Sequence, residues 1–330
     1  MNQVLTNWPH DDDPQWFNAM REQVLPFWQS QVKLHEFTSF DGHKIVYTLC
    51  VPDNASKLLL ISPGRIESAF KYQELIYILA QQGIATATID HRGQGLSARL
   101  TQNPHQGHVD DFNDFVEDFA YFVAAVSKQV PTLEQYLLSH SMGGAIASLY
   151  LANHEHELKA AVMSAPMFGI QAGAIPLWLA RAVVSVGYKL NQWLARNTPW
   201  YFIGMRDYDP DPFEKNRLTH SAARYQWFRQ VYQEEPKLQL GGPTFGWLYH
   251  ATQASERAIL QAKQIQIPVT VVNAGGDQVV SRSAQQRFVA QLPHPQSEFI
   301  SVPKAKHELV MESDNYREPL MQALRTMLND

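Results

Sequence analysis

Short apolar runs of strand length, separated by stretches with helical periodicity, restrict this chain to very few architectures. Lys57–Ser62 reads KLLLIS, apolar without alternation, as a strand covered on both faces must be. Comparable runs occupy Ile84–Ile89, Gln135–Leu138, Lys159–Ser164, Ile267–Asn273 and Ser297–Val302. Between them lie helical stretches. Phe70–Gln82 is closed by Gly83, and another opens at Val109-Asp110-Asp111 and runs to about Lys128, with acids in its first turn and a lysine in its last. Further helices are expected over Ala145–Leu151, Ala284–Gln291 and from Asp314 onward. Leu34–Phe40 and His43–Cys50 flank Asp41-Gly42 and predict a hairpin. Strand and helix in alternation predict a mostly parallel sheet with helices on both faces.

The alternation stops at Phe168 and returns at Ile267. The intervening stretch carries five of the eight tryptophans and little strand character. We therefore expect four segments: a tryptophan-bearing lead-in packed on the core (1–33), the first part of the sheet domain (34–167), an inserted cap (168–250) and the second part of the sheet domain (251–330). There is no internal repeat.

Composition narrows the function. Of 330 residues, 45% are hydrophobic, ample for a sizeable core. Net charge is −5, which gives no reason to expect a nucleic-acid partner. Cys50 is the single cysteine, so no internal disulfide can form; it reads as a small core residue in a reducing setting. The first residues lack the basic start and apolar run of a secretory signal, and no long uncharged apolar stretch predicts a membrane span; a cytoplasmic protein is expected. Asp90–Gly95 contains only Gly-x-Gly, and HExxH, CxxC and P-loop patterns are absent, so neither a metal nor an organic cofactor is expected. His10-Asp11-Asp12-Asp13 reads as a solvated terminus, since nothing fixes a coordination geometry.

The chemistry is carried by Leu137-Leu138-Ser139-His140-Ser141-Met142-Gly143-Gly144. It reads as strand, abrupt turn, helix, with Ser141 on the turn. The pattern is S-x-S-x-G, one residue from the G-x-S-x-G elbow on which α/β-hydrolases expose a nucleophilic serine. A serine hydroxyl needs a base, and the base an orienting carboxylate. In that fold the partners follow in the order acid, then histidine, on loops after later strands. Asp277 follows Val269–Asn273, and His307 follows Phe299–Val302. The oxyanion donors would be the backbone N–H groups of Met142 and Arg65, the latter brought close by Gly64. The Arg65 side chain has two readings: contact with a substrate phosphate, or a place outside the chemistry, paired with Glu67 or solvated. His140 should point away from the elbow, and His91 should support the site from behind.

In the cap, Arg181, Ser185, Lys189, Gln192 and Arg196 recur at helical steps and form one cationic stripe. It is read either as a solvated face or as a surface for anionic lipid, with Trp178 and Trp193 nearby. A large apolar cap over a serine esterase site favours a long acyl chain.

Pro63–Ser68 with Tyr72, Asp90–Ser97, Ser139–Gly144, Gly276-Asp277 and His307-Glu308-Leu309 together resemble the monoacylglycerol lipase and lysophospholipase group of α/β-hydrolases. Asn216–Ser221, Arg224-Tyr225 and Gly241–Thr244 resemble its bacterial lysophospholipase L-two branch. The resemblance covers most of the chain from about residue 34. It implies an α/β-hydrolase fold with an eight-stranded sheet and an inserted helical cap. It also implies hydrolysis of lysophospholipids or other monoacyl lipids through Ser141, His307 and Asp277, by a protein on the inner face of the inner membrane. Two positions depart from the group: Ser139 replaces the elbow glycine, and Pro63 stands where many relatives have histidine. A monoacylglycerol lipase or general carboxylesterase is the nearest alternative. A catalytically silent member that binds lipid or protein is the other.

Overall fold

The structure is a computed structural model that describes residues 8–173 and 175–329. The first seven residues of the expected lead-in lie outside the described residues. Helix α1 (Gln15–Ala19), a π-helical turn (Met20–Val24) and α2 (Leu25–Gln31) open it, followed by strands β1 (Lys33–Thr38), β2 (Lys44–Cys50) and β3 (Lys57–Ser62). Then come α3 (Gln73–Ala80), β4 (Ile84–Asp90), α4 (Asn113–Gln129), β5 (Glu134–His140), α5 (Met142–Asn153) and β6 (Ala161–Ser164). Three helices follow without a strand: α6 (Leu177–Ala195), α7 (Ala222–Glu234) and α8 (Phe245–Gln261). The chain ends with β7 (Val269–Ala274), α9 (Arg282–Val289), β8 (Glu298–Val302) and α10 (Asp314–Asn329).

The eight strands form one sheet in the order β1-β2-β4-β3-β5-β6-β7-β8. β2 is antiparallel to both β1 and β4, and every pairing from β4 to β8 is parallel. The order reverses at β3, so the carboxyl ends of β3, β5, β6, β7 and β8 share one rim, where open α/β sheets place their sites. The uniformly apolar strands sit under helices: Leu58, Leu59, Leu60 and Ile61 are completely buried, and so are Leu137 and Leu138.

The excursion between β6 and β7 covers this rim. The boundary expected at 250 falls inside α8, whose Ala251, Ala254 and Ala258 belong to the main core. Small residues there let α8 lie close to α5. Beneath the cap, Glu74 on α3 accepts hydrogen bonds from the indoles of Trp8 (2.8 Å) and Trp16 (3.0 Å) and from Arg224 of α7 (2.8 and 3.0 Å). Arg317 of α10 lies 3.1 Å from the same carboxylate, and Arg224 also reaches Asp314 at 2.6 Å. These cations hold Glu74 well below the ordinary carboxylate range despite the opposing pull of burial. Asp11, expected from sequence to be free in solvent, instead donates its backbone N–H to Asp314 Oδ2 at 2.8 Å and accepts the Asp314 N–H on its Oδ1 at 3.0 Å. No helix among the described residues is long and apolar enough to cross a membrane.

Candidate active site

Ser141 sits between β5 and α5 with φ 50° and ψ −116°, a conformation costly for any residue with a side chain. The turn is held because its neighbours leave no alternative. A Cβ on Gly143 would lie 2.0 Å from the Ser62 carbonyl oxygen, and one on Gly144 would lie 2.5 Å from Pro166 Cβ. Strand and helix therefore pass at backbone contact, and the serine is carried on the crest. Ser139, in place of the usual glycine, is fully buried, and its hydroxyl has no hydrogen-bond partner.

The loops after β7 and β8 bring the other two groups to Ser141. His307 Nε2 lies 2.9 Å from Ser141 Oγ, and His307 Nδ1 lies 2.7 Å from Asp277 Oδ2. Asp277 is itself fixed: its Oδ1 accepts the N–H groups of Val279 (2.6 Å) and Val280 (3.2 Å). Ser141 and His307 are both largely buried, and each presents an edge to the cavity above the elbow. With Nδ1–H donated to a carboxylate, Nε2 is left free to accept from the serine hydroxyl.

The loop after β3 crosses above the elbow. A Cβ on Gly64 would meet His140 Nδ1 at 2.9 Å and Ser141 Cβ at 3.2 Å, so only glycine permits this approach. Among the described residues, the backbone N–H groups of Arg65 and Met142 make no hydrogen bond within the chain, and both residues line the cavity at Ser141. The Arg65 side chain does not pair with Glu67. It donates to the Gly241 carbonyl at 2.8 Å and lies over the Trp247 ring at 5.4 Å, which ties the loop to the cap. Burial lowers this guanidinium to about 10.

Glu67 serves a network that sequence reasoning missed. It accepts from Gly64 N (2.6 Å), Tyr72 Oη (2.8 Å) and Lys71 Nζ (3.0 Å), and its Oε2 lies 3.1 Å from His140 Nδ1. Lys71 also reaches Glu308 at 2.6 Å. His140 thus points under the site, contrary to expectation. Its Nε2 lies 3.3 Å from the His307 carbonyl oxygen, and its ring stands 4.9 Å from that of His307. Burial alone would depress His140, but the Glu67 carboxylate raises it. For Glu67, burial is outweighed by His140 and Lys71, which hold it well below the usual range. The only sequence signal was the four-residue spacing of Glu67 and Lys71. His91 does stand behind the site: it contacts Ser62 Oγ at 3.1 Å, and that hydroxyl donates to the Gly143 carbonyl. Burial lowers His91 to about 3, so it is neutral.

Above Ser141 lies a cavity of 740 Å³ whose apolar walls include Met167, Ile170, Pro243, Trp247 and Leu248. In the cap over it, the three cations of the expected stripe, Arg181, Lys189 and Arg196, are exposed. Helix α6 packs on α8 through Tyr188, stacked on Tyr249 at 4.2 Å, and through Gly187 against Phe245. Arg181 is taken by Glu256 at 2.6 Å, and Ser185 and Gln192 are partly buried. Large apolar side chains share that exposed surface: Trp178 is 71% exposed and Trp193 79%, with Val186, Leu190 and Leu194 beside them. Gly187 and Tyr188 face α8, and Asn191 is buried and bonded to the backbone of Ala195, Thr198 and Trp200, while the bulky aliphatics turn outward.

Residues 53–314 match the Hydrolase_4 family, described as serine aminopeptidase, S33. The chain is 33% identical over 314 residues to lysophospholipase L2 of Escherichia coli (strain K12), covering 93% of this chain and 90% of that one. It is 31% identical over 319 residues to a probable lysophospholipase L2 of Haemophilus influenzae, covering 96% and 98%. Among solved structures, a soluble variant of the monoglyceride lipase of Saccharomyces cerevisiae superposes with a TM-score of 0.70 at 18% identity, covering 90% of this chain and 94% of that one. A carboxyl esterase of Bacillus coagulans superposes at 0.68 and 18%, covering 91% and 98%. Likeness at that identity concerns the fold alone.

Proposed function

The chain belongs to the Hydrolase_4 family of α/β-hydrolases, and from that premise we propose that it is a lysophospholipase, releasing the fatty acid from monoacyl phospholipids. The observation that carries this reading is the unbroken set of hydrogen bonds from Ser141 through His307 to Asp277. Ser141 Oγ attacks the ester carbonyl while His307 Nε2 takes its proton, and Asp277 steadies the imidazolium that forms. The Met142 and Arg65 N–H groups receive the developing oxyanion. His307 then protonates the departing glycerophospho-alcohol, and water, deprotonated by the same ring, releases the acid from Ser141. The apolar cavity suits a long acyl chain. The relatives named lysophospholipase L2, matched across nearly the whole chain, favour a phosphate-bearing substrate over a neutral glyceride.

The exposed apolar face of α6 extends this reading to where the substrate is met. Two indoles and a row of aliphatics with Lys189 and Arg196 at their edge suit the boundary layer of a bilayer. The protein would take its substrate from that layer as a peripheral visitor.

A fluorophosphonate probe tests the nucleophile: labelling should be lost in Ser141→Ala, and labelling that persists would overturn the assignment. Hydrolysis of lysophosphatidylcholine against a monoacylglycerol of the same chain tests the substrate. A strong preference for the neutral lipid would replace lysophospholipase with monoacylglycerol lipase.

A further inference from the structure

The protein neutralises most of its buried guanidiniums with care. Arg92 meets Asp41, Asp114 and Asp118; Arg224 meets Glu74 and Asp314; Arg317 meets Glu74. Arg65, bonded to the Gly241 carbonyl, lacks a carboxylate partner among the described residues, and so does Arg229 on α7. Among the described residues no carboxylate lies within ion-pair distance of it. Its Nη1 and Nη2 donate to the hydroxyls of Tyr208 and Tyr225, each at 3.0 Å. Its guanidinium lies against the rings of Tyr225 (4.8 Å), Phe228 (4.8 Å) and Tyr208 (5.7 Å). Its Nε is buried with no partner at all. The charge is thus held rigidly, partly dehydrated and unneutralised, which costs stability unless something anionic binds there.

Its location says what that would be. Arg229 lines the cavity above Ser141 and also a second one of 1060 Å³, and Asp211, Leu218 and Val279 line both with it. The second cavity is built on the loops that carry the acid and the base, through Gly276 and Gln278 on one and Lys304 and Lys306 on the other. Lys215 and Arg217 add to its positive charge, and Asp211 and Glu214 are its two acids. Lys306 is already engaged, donating to the carbonyls of Asn216 and Thr219. An alcohol protonated by His307 departs on the His307 side. The polar, cationic cavity adjoins that side, and the apolar cavity lies over the serine.

We propose that Arg229 binds the phosphate of the head group in this second cavity and thereby selects phosphate-bearing monoacyl lipids over neutral ones. The proposal rests on the lysophospholipase reading above and assigns its head-group subsite. A guanidinium fixed by two phenol oxygens and three ring faces, with a second N–H left on each of Nη1 and Nη2, is suited to a phosphodiester oxygen, and no bond is made or broken there.

The test uses the full-length protein, lysophosphatidylcholine and a monoacylglycerol of the same chain. Arg229→Gln should lower kcat/KM for the phospholipid by about 10–100-fold, the range of one charge-assisted hydrogen bond, and leave the monoacylglycerol within about twofold. Arg229→Lys should restore part of the loss. Equal loss on both substrates would make Arg229 a scaffold residue, and no loss would make it a bystander; either overturns the proposal. A second arm separates this from failure of the broader reading. Glycerophosphocholine should inhibit hydrolysis of the monoacylglycerol by the wild type and not by Arg229→Gln. If lysophosphatidylcholine is not hydrolysed yet this inhibition holds, the subsite stands and the lysophospholipase reading falls. Stronger inhibition by inorganic phosphate would make this a free-phosphate site and overturn the head-group assignment. Should Arg229→Gln not fold, Arg217→Gln/Lys304→Gln at the exposed rim should selectively weaken the phospholipid reaction, in a salt-dependent way. Indifference there would count against the proposal.

Discussion

Replacing Gly64 by alanine should separate oxyanion stabilisation from substrate binding. The new methyl group would stand 2.9 Å from His140 Nδ1 and 3.2 Å from Glu67 Oε2 and Ser141 Cβ. None of these can step aside freely. His140 is held between Glu67 and the His307 carbonyl, and Glu67 is bound by Gly64 N, Tyr72 and Lys71. The loop must therefore retreat, by about 0.5 Å to reach ordinary contact near 3.4 Å. A shift of that size stretches a hydrogen bond of about 2.9 Å to about 3.4 Å, where little of its strength remains. One oxyanion donor is worth ~3–4 kcal/mol in the transition state, and partial loss corresponds to about 10–100-fold in kcat. The ground-state ester makes less of that bond, so KM should move by no more than about threefold. Steady-state kinetics on a soluble monoacyl ester, with circular dichroism to show an intact fold, is the assay. A kcat within twofold of wild type would refute the placing of an oxyanion donor on this loop.

Four further outcomes are expected. Arg224→Met leaves Glu74 and Asp314 without their main cation and should cost about 3–5 kcal/mol in urea denaturation; a loss under about 1 kcal/mol would mean that the cluster relaxes or hydrates. Glu67 and Glu74 bind protons less readily folded than unfolded, so their stabilisation is complete above the unfolded value of 4.5 and drains away as pH falls below it. Asp90, raised to about 6 by burial, acts in the opposite sense, but the net result should be a steep loss of stability in acid melts below about pH 4.5, and a flat profile would contradict the ion pairing. Trp178→Ala and Trp193→Ala should each weaken vesicle binding by about tenfold, as expected if only ~60 Å² of each exposed indole leaves water, with little dependence on salt; unchanged binding would remove α6 from the lipid surface. Ser139→Ala deletes a buried hydroxyl without a partner, so stability should hold or rise by up to about 1 kcal/mol with kcat unchanged, and a loss would reveal a hidden acceptor.

How far the sequence could be read depended on how local each feature is. The strands of the sheet were readable because burial on both faces leaves its mark within six or seven residues. The approach of Ser141, Asp277 and His307, proposed here as the catalytic groups, could be anticipated because each follows a strand, and strand ends meet at one rim. The network of Glu67, Lys71, His140 and Glu308 left almost no mark, since it is made by four positions that approach only after folding. The exposed apolar surface of α6 was missed for a related reason. Its stripe of polar residues is real, but which face turns outward is decided by α8, through contacts such as Gly187 on Phe245 that no periodicity encodes.

Glu74 sets a limit on how this molecule can be dissected. Its carboxylate is shared by donors from the lead-in (Trp8, Trp16), from α7 (Arg224) and from α10 (Arg317). The stretch aligned with the family, 53–314, contains one of those four. A shortened protein cut to that outline would leave this buried carboxylate with Arg224 alone, stripped of both indoles and of its second cation. The border that alignment draws is not one along which this polypeptide can be divided.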